Sequence, residues 1–493
     1  MVNLTLQVKN PHTTGEYWMI LIKSGRLVTA ERSFEADVLI DGETIWAIGA
    51  NLEKAAVEID EIIDASGKLI LPGGIDPHVH LDLPMFDTVS SDDHYTGHKA
   101  AAFGGTTTVM DFVPQPDTGR LADGVAEWHA KADHKAAIDF GFHMNITRLD
   151  AAIEEEIPSL LDLGIPTLKV FTAYNGRLRL QDGEIFRVMQ IARQHGMLTM
   201  LHAENGDVID QLVAEALEEG QKEPIWHAKT RPAWGAVESV LRACALAAQA
   251  EAPLYIVHMN TAGGAEMLQY AREHGALVMG ETCPQYLFFS DEELEREDGA
   301  KWICSPPIRS RDDQEVLWAA LGADQIQVMG TDHCPFFYDG TTSIEYEGEQ
   351  IALPGKELGA EDFTKIPNGL PGVGDRMPIL WSYGVGRGKI TENQFVALTS
   401  TNPARIFGLY PQKGVLKPRA DADIVIWDLE RELNYGVEFS HQRTDYNLYE
   451  GWPLKGFPEK VFLRGKLIVD GDQWLGQAGE GRFLKRKPGA ALI

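Results

Sequence analysis

Apolar residues along the chain fall into two rhythms. From residue 17 to about 68, short strand patterns recur: YWMILIKSGRLVT, ADVLIDGETIWAIGA and VEIDEIIDASG, with turn residues at Lys23-Ser24-Gly25 and Asp41-Gly42. Strand side chains alternate faces, so this stretch predicts a small antiparallel β module. A few strands cannot bury a face unaided, so the module needs a second surface. From residue 69 the rhythm changes. Nearly continuous apolar runs stand at 69–76, 106–113, 138–146, 166–173, 197–204, 253–259, 276–282 and 325–332. Helical patterns lie between them, over 121–137, 183–195, 233–250 and 262–273. Strands covered on both faces read as such continuous runs, and their alternation with helices is the mark of a parallel sheet. Eight units predict an α/β fold, a TIM-like (β/α)8 barrel with insertions.

The connection at 336–374 is rich in Gly, Pro and acidic residues and too long for a plain loop, so it predicts a lid or a subunit contact. A helix follows over 392–407, and then strand patterns return in GVLKPRADADIVIWDL and KVFLRGKLIVDG. These read as the missing partners of the first strands. The expected organisation is an extension at 1–16, a composite β-sandwich from 17–68 and 409–472, a barrel from 69–408 and a tail from 473–493. The aromatic, irregular stretch 441–454 predicts a structured loop, a candidate for a subunit interface.

Composition narrows the function. Of 493 residues, 44% are hydrophobic and 24% charged, ordinary for a globular protein. Lys and Arg number 44 against 73 Asp and Glu, a net charge of −29. That excess argues against nucleic acid and anionic membranes as partners. The short basic stretch RFLKRK at 482–487 reads as a solvated or subunit-docking tail. Cys244, Cys283, Cys304 and Cys334 are too scattered for a zinc-finger or redox pair and suit a reducing compartment. The first residues show no secretory pattern, and no apolar run reaches transmembrane length, which predicts a soluble cytoplasmic protein.

Candidate chemistry gathers at the strand ends, where this barrel places its active sites. The first run leads through Gly73-Gly74 into His78 and His80, whose i, i+2 spacing puts two imidazoles on one strand face. Neutral imidazole is a good zinc ligand. The fourth run carries Lys169, the fifth ends in His202, the sixth in His258 and the eighth in Asp332. Taken singly, each is an ordinary core histidine, a helix-capping Asp or a Lys reaching out of the barrel mouth. Taken together, four His, one Lys and one Asp at matching ends of five strands point to a metal site. Lys169 is the odd member. An ammonium beside a dication is repelled and an apolar strand desolvates it. It either stays neutral or becomes an anionic carbamate able to bridge two metals.

The chain resembles the amidohydrolase superfamily, and within it the hydantoinase–dihydropyrimidinase family. The likeness is carried by PGGIDPHVHLDLP, SSDDHYTGHKAAAFGGTTTVMDF, LKVFTAYNG, HAEN, YIVHM, TCPQYL, SPPIR, GTDHCPF, KIPNG and DYNLYEGW, from about residue 18 to 488. It implies two zinc ions per subunit, His78 and His80 on the more buried one and His202 and His258 on the other. Lys169, as N6-carboxylysine, would bridge them. Asp332 would bind the buried metal and act as acid/base toward a metal-bridging hydroxide. Tyr174 would be the oxyanion donor, and Ser305 and Asn368 would hold the substrate ring through their main chain. The implied reaction is hydrolysis of hydantoins or dihydropyrimidines to N-carbamoyl amino acids, in a cytoplasmic homotetramer. The connection from Asp332 to Asn368 departs from the family by an extra stretch near 340–353, and GVGDRM lacks the acidic residue common before DRM. Specificity is expected from 85–89 and 175–180, with Met85, Phe171 and Leu178 as either wall or plain packing.

Rival readings remain. Allantoinase or dihydroorotase relatives commonly carry Arg or Asn just after HxH, where this chain has Leu81-Asp82-Leu83. A non-catalytic scaffold relative would have lost metal ligands, and all six candidates are present. A mononuclear deaminase of the same fold would not need Lys169.

Overall fold

The computed structural model describes residues 18–55, 57–85 and 87–489. The expected extension at 1–16 lies outside the described residues, as does Phe86 of the 85–89 loop. Eight parallel strands form the barrel: β1 (Gly74–Val79), β2 (Thr106–Val113), β3 (Asp139–Asn145), β4 (Thr167–Phe171), β5 (Leu198–His202), β6 (Leu254–Ile256), β7 (Val278–Thr282) and β8 (Val328–Met329). They pair in chain order from β1 to β8. A parallel bridge between Val79 and His333 joins the first strand to the segment after the last. The Arg376 guanidinium adds to this closure by donating to the carbonyls of Ile75 and Met329 at 2.9 and 2.8 Å. The (β/α)8 expectation therefore holds.

The barrel interior is filled by Ile75, Met110, Phe112, Met200, Tyr255 and Met279, which form one cluster with Ile406, Phe407 and Leu409. The predicted 392–407 helix is three consecutive helical segments, Glu392–Val396, Ala397–Thr401 and Asn402–Ile406, the middle one with π geometry. It ends by inserting Phe407 against Tyr255, 5.1 Å between ring centroids, which plugs the N-terminal end of the barrel. With that end closed, chemistry is left to the opposite mouth.

Three expectations need correction. First, the 69–76 run is not one barrel strand. Leu69–Pro72 pairs with Met19–Val28 and Ile424–Asn434 in a nine-stranded sheet, and the barrel begins at Gly74. The chain crosses between the two at Gly73, where a Cβ would fall 2.2 Å from Thr107 Oγ1. Second, the terminal β module is mixed, not antiparallel. Met19–Val28 pairs parallel with Glu61–Asp64 and with Leu69–Pro72, because those strands return after crossing the module. Strands from both chain ends do share this sheet, and it curls until Thr44 bridges Asp421 around the apolar cluster of Ile22, Val38, Ile70, Ile424 and Phe462. Third, the basic tail is solvated only in part: Arg482, Lys485 and Lys487 are exposed, while Arg486 turns inward. Leu484 N–H donates to Phe140 O at 2.7 Å, and Arg486, 3% exposed, reaches the carbonyl of Phe142 and Thr167 Oγ1. Free backbone carbonyls at the N-terminal ends of parallel strands need donors, and a guanidinium supplies several.

Sheet and barrel are joined by a buried charge cluster. Lys413 Nζ lies 2.7 Å from Asp139, 2.7 Å from Asp423 and 3.0 Å from Asp421, and Arg464 also contacts Asp139. The four cysteines are buried and free. Among the described residues, no helix is long and apolar enough to cross a membrane.

Candidate metal centre and active site

The six candidate metal residues meet at the C-terminal mouth of the barrel. His78 lies on β1 with His80 just beyond it. Lys169 lies on β4 and His202 ends β5. His258 follows β6, and Asp332 follows β8. Barrel closure brings the ends of the set together: His80 N–H donates to His333 O at 2.7 Å, which carries Asp332 to His80. Asp332 Oδ1 is then 3.1 Å from His78 Nε2 and 3.1 Å from His80 Nε2. His202 Nδ1 and His258 Nε2 are 3.1 Å apart. Among the described residues, donor atoms of His78, His258 and Asp332 lie within 4.8 Å of one another, a spacing one cation can span. His258 stands between the two expected sets, its ring centroid 5.3 Å from that of His78 and 4.7 Å from that of His202.

Backbone strain collects here. Tyr174, His258 and Asp332 have φ of 69°, 36° and 56°, the left-handed region that costs free energy outside glycine. Such conformations persist where the surroundings dictate them, and they cluster at functional sites.

Electrostatics suit a cation. Burial alone would raise the Asp332 pKa, but His78 and His80 hold the carboxyl well below its usual range. Burial works against a charged His78, yet Glu281 and Asp332 bring its pKa up to about 9. A metal ligand must shed that proton, so a cation and the imidazolium compete for one carboxylate-lined position. Lys169 is 2% exposed, its Nζ 5.0 Å from the Phe112 ring centroid and 5.4 Å from that of Phe171. Burial pushes its pKa down to about 8, against the pull of Asp332 and Glu281.

The structure adds two carboxylates that strand-end reading missed. Glu281, fully buried on β7, contacts His78 Nδ1 and accepts from His258 N–H at 3.1 Å and Tyr255 O–H at 2.9 Å. Glu204 accepts from His202 Nε2 at 2.8 Å. Each carboxylate fixes one ring nitrogen as the donor and leaves the other free to bind a metal. His258 Nδ1 is buried without a hydrogen-bond partner among the described residues, and His78 Nε2 faces Asp332 Oδ1, itself a candidate ligand. The donor set therefore fits a resident metal. A Cβ on Gly330 would sit 2.8 Å from Glu281 Oε2, so that position holds glycine to admit the carboxylate. A carboxylate inside the apolar run VMGET was the available signal for Glu281. Glu281→Gln is expected to lower metal affinity by about 10–100-fold, because an amide can present N–H to His78 and reverse the tautomer. Metal content after graded chelator dialysis checks this, and retention equal to the parent protein refutes it.

His333 was also missed. Its Nδ1 accepts from Gly372 and Val373 N–H at 3.1 and 3.2 Å, and its Nε2 meets Asp92 at 3.1 Å, which anchors the segment just after Asp332.

Beside the cluster, Tyr174, Ser305 and Asn368 stand together. The Ser305 side chain acts on the Tyr174 phenol, and Asn368 Nδ2 donates to Ser305 Oγ at 3.1 Å. The longer connection thus still delivers Asn368 beside Ser305. Burial and Glu204 raise the Tyr174 pKa, so the phenol keeps its proton. Its ring centroid is 5.1 Å from that of His202. Phe171 packs beside both, at 6.2 Å from Tyr174 and 6.0 Å from His202, while Leu178 is half-buried and Met85 lies in a short hairpin with 88–89.

Residues 69–468 match the model of the amidohydrolase family. The chain is 44% identical over 476 residues to a D-hydantoinase of Geobacillus stearothermophilus, covering 96% of this chain and 98% of that one. The crystal structure of dihydropyrimidinase from Brevibacillus agri superposes with a TM-score of 0.91 at 46% identity, covering 96% and 99% of the two chains. An L-hydantoinase (dihydropyrimidinase) from Arthrobacter aurescens gives a TM-score of 0.84 at 28% identity, covering 94% and 99%.

Proposed function

The chain belongs to the hydantoinase–dihydropyrimidinase family of the amidohydrolases, and from this premise we propose that it hydrolyses the cyclic amide of five- or six-membered cyclic ureides, hydantoins and dihydropyrimidines, to N-carbamoyl amino acids. The observation that carries the reading is the convergence of His78, His258 and Asp332, with Tyr174 beside His202 and Asn368 bonded to Ser305.

The cofactor in this reading is a pair of zinc ions held by His78, His80, His202, His258, Asp332 and a carbamate on Lys169. A buried amine with a pKa of about 8 is partly neutral near physiological pH, and only the neutral amine adds to carbon dioxide. When bound, such ions lower the pKa of water and polarise a carbonyl.

The chain's own groups do the rest. Ser305 and Asn368 fix the ring through the main chain. Tyr174 donates its phenolic proton in a hydrogen bond to the carbonyl oxygen as that oxygen gains charge. Asp332, held ionised by its histidines, takes the proton of the attacking water and hands it to the ring nitrogen as the C–N bond breaks. Phe171 would meet a substituent on the ring carbon. The family likeness also supports a cytoplasmic homotetramer, which sedimentation would test.

The test is ring opening of dihydrouracil, hydantoin and 5-phenylhydantoin by the zinc-supplemented protein. Opening of any of them supports the reading. Failure on all three, with zinc confirmed bound, overturns it. Tyr174→Phe is expected to lower kcat by about 10²–10³-fold, the loss typical of one oxyanion donor. Unchanged kcat would remove Tyr174 from that role.

A further inference from the structure

The connection between 336 and 374 is tied down along its length. Tyr338 and Asp339 N–H donate to the Asp445 carboxylate at 2.7 and 2.8 Å. The inserted stretch forms a hairpin, Ile344–Tyr346 with Glu349–Ile351, whose Tyr346 O–H donates to His441 O at 3.2 Å. Directly after it comes Lys356, 1% exposed, at the start of the turn Lys356–Gly359.

A buried ammonium is costly unless it is fully hydrogen-bonded. Among the described residues, Lys356 Nζ meets no carboxylate. It donates to two carbonyls, Ile303 at 3.0 Å and Pro367 at 3.3 Å. Those carbonyls are informative. Ile303 begins Ile303-Cys304-Ser305, and Pro367 precedes Asn368. The Ile303 carbonyl also accepts from Gly369 N–H at 3.1 Å. One amine thus ties together, from behind, the two segments that Ser305 and Asn368 join in front. Burial lowers the Lys356 pKa to about 7, with Cys304, Cys334 and Asp445 as the ionisable groups acting on it.

We propose that Lys356 is a positioning residue: by bridging the carbonyls of Ile303 and Pro367 it sets the spacing of the main chain at Ser305 and Asn368, and so the orientation of the cyclic amide held between them. This rests on the reading of Ser305 and Asn368 as the groups that hold the ring.

The experiment is steady-state kinetics of metal-replete Lys356→Met and Lys356→Gln on whichever ring the parent protein opens. Lys356→Met, of similar length without donors, is expected to raise KM about tenfold while kcat changes less than about threefold, the sign of lost ground-state binding. Lys356→Gln keeps amide donors with a shorter reach and is expected to raise KM about threefold. Combined with Asn368→Ala, the Lys356→Met effect should be less than additive, because both act on one contact set. A fall in melting temperature with parental KM, or full additivity, overturns the proposal. If Lys356→Met does not fold, parental KM in Lys356→Gln overturns it alone. If the parent protein opens no ring, the functional reading falls and this one with it. If rings open and only Lys356 proves indifferent, this one falls alone.

Discussion

Asp332→Asn is expected to give a folded protein whose kcat is lower by on the order of 10³-fold, in the middle of the range for a lost general acid–base group. Folding should survive for a specific reason. Asp332 sits at φ 56°, and Asn is among the few residues that tolerate that region. The amide also keeps the shape that lies 3.1 Å from His78 and His80. What it loses is the negative charge those histidines stabilise and the capacity to take up a proton. Metal content should fall only in part, because the imidazoles remain. The check is kcat and metal stoichiometry measured on one sample, with circular dichroism to confirm the fold. A kcat near that of the parent protein would remove Asp332 as the acid/base.

Lys169→Ala is expected to lose the metal pair and, with it, measurable turnover. Lys169 is the one candidate placed on β4, between the histidines of β1 and those of β5 and β6. Register sets it opposite Met200 on β5, two positions before His202, so its side chain rises toward the same mouth. As an amine it offers cations only repulsion. As a carbamate it offers two oxygens to two ions at once, and alanine offers neither. Atomic absorption should find the variant largely metal-free under conditions that saturate the parent protein. Full zinc occupancy in the variant would sink the bridging role. Independent support would be a carbonyl carbon resonance from labelled bicarbonate in the parent protein, absent from Lys169→Ala.

Both variants probe residues that were visible as letters at strand ends. The reason is geometric: a barrel buries its strands on both faces, so an ionisable residue ending an apolar run stands out against what surrounds it. His202 in MLHAEN and His258 in YIVHMN are of this kind. Glu281 stands inside VMGET, one residue before its end, and holds His78. Lys356 gave no signal. Its surroundings are loop segments from 303 and 367, far apart in sequence, and nothing local marks a lysine as buried.

The sequence by itself determined the eight-unit barrel and the sharing of one β sheet by both chain ends, and it put the candidate histidines, lysine and aspartate at strand ends, because hydrophobic period and strand-end position are local properties of the chain. Tertiary structure alone decided the rest. It split the 69–76 run between two sheets, since pairing partners, not apolarity, assign a strand. It turned Arg486 of the basic tail inward, since the groups it meets become neighbours only after the barrel closes. It also chose which nitrogen of His78 and His202 is free, since that depends on Glu281 and Glu204, and the first of these comes from a strand some 200 residues away.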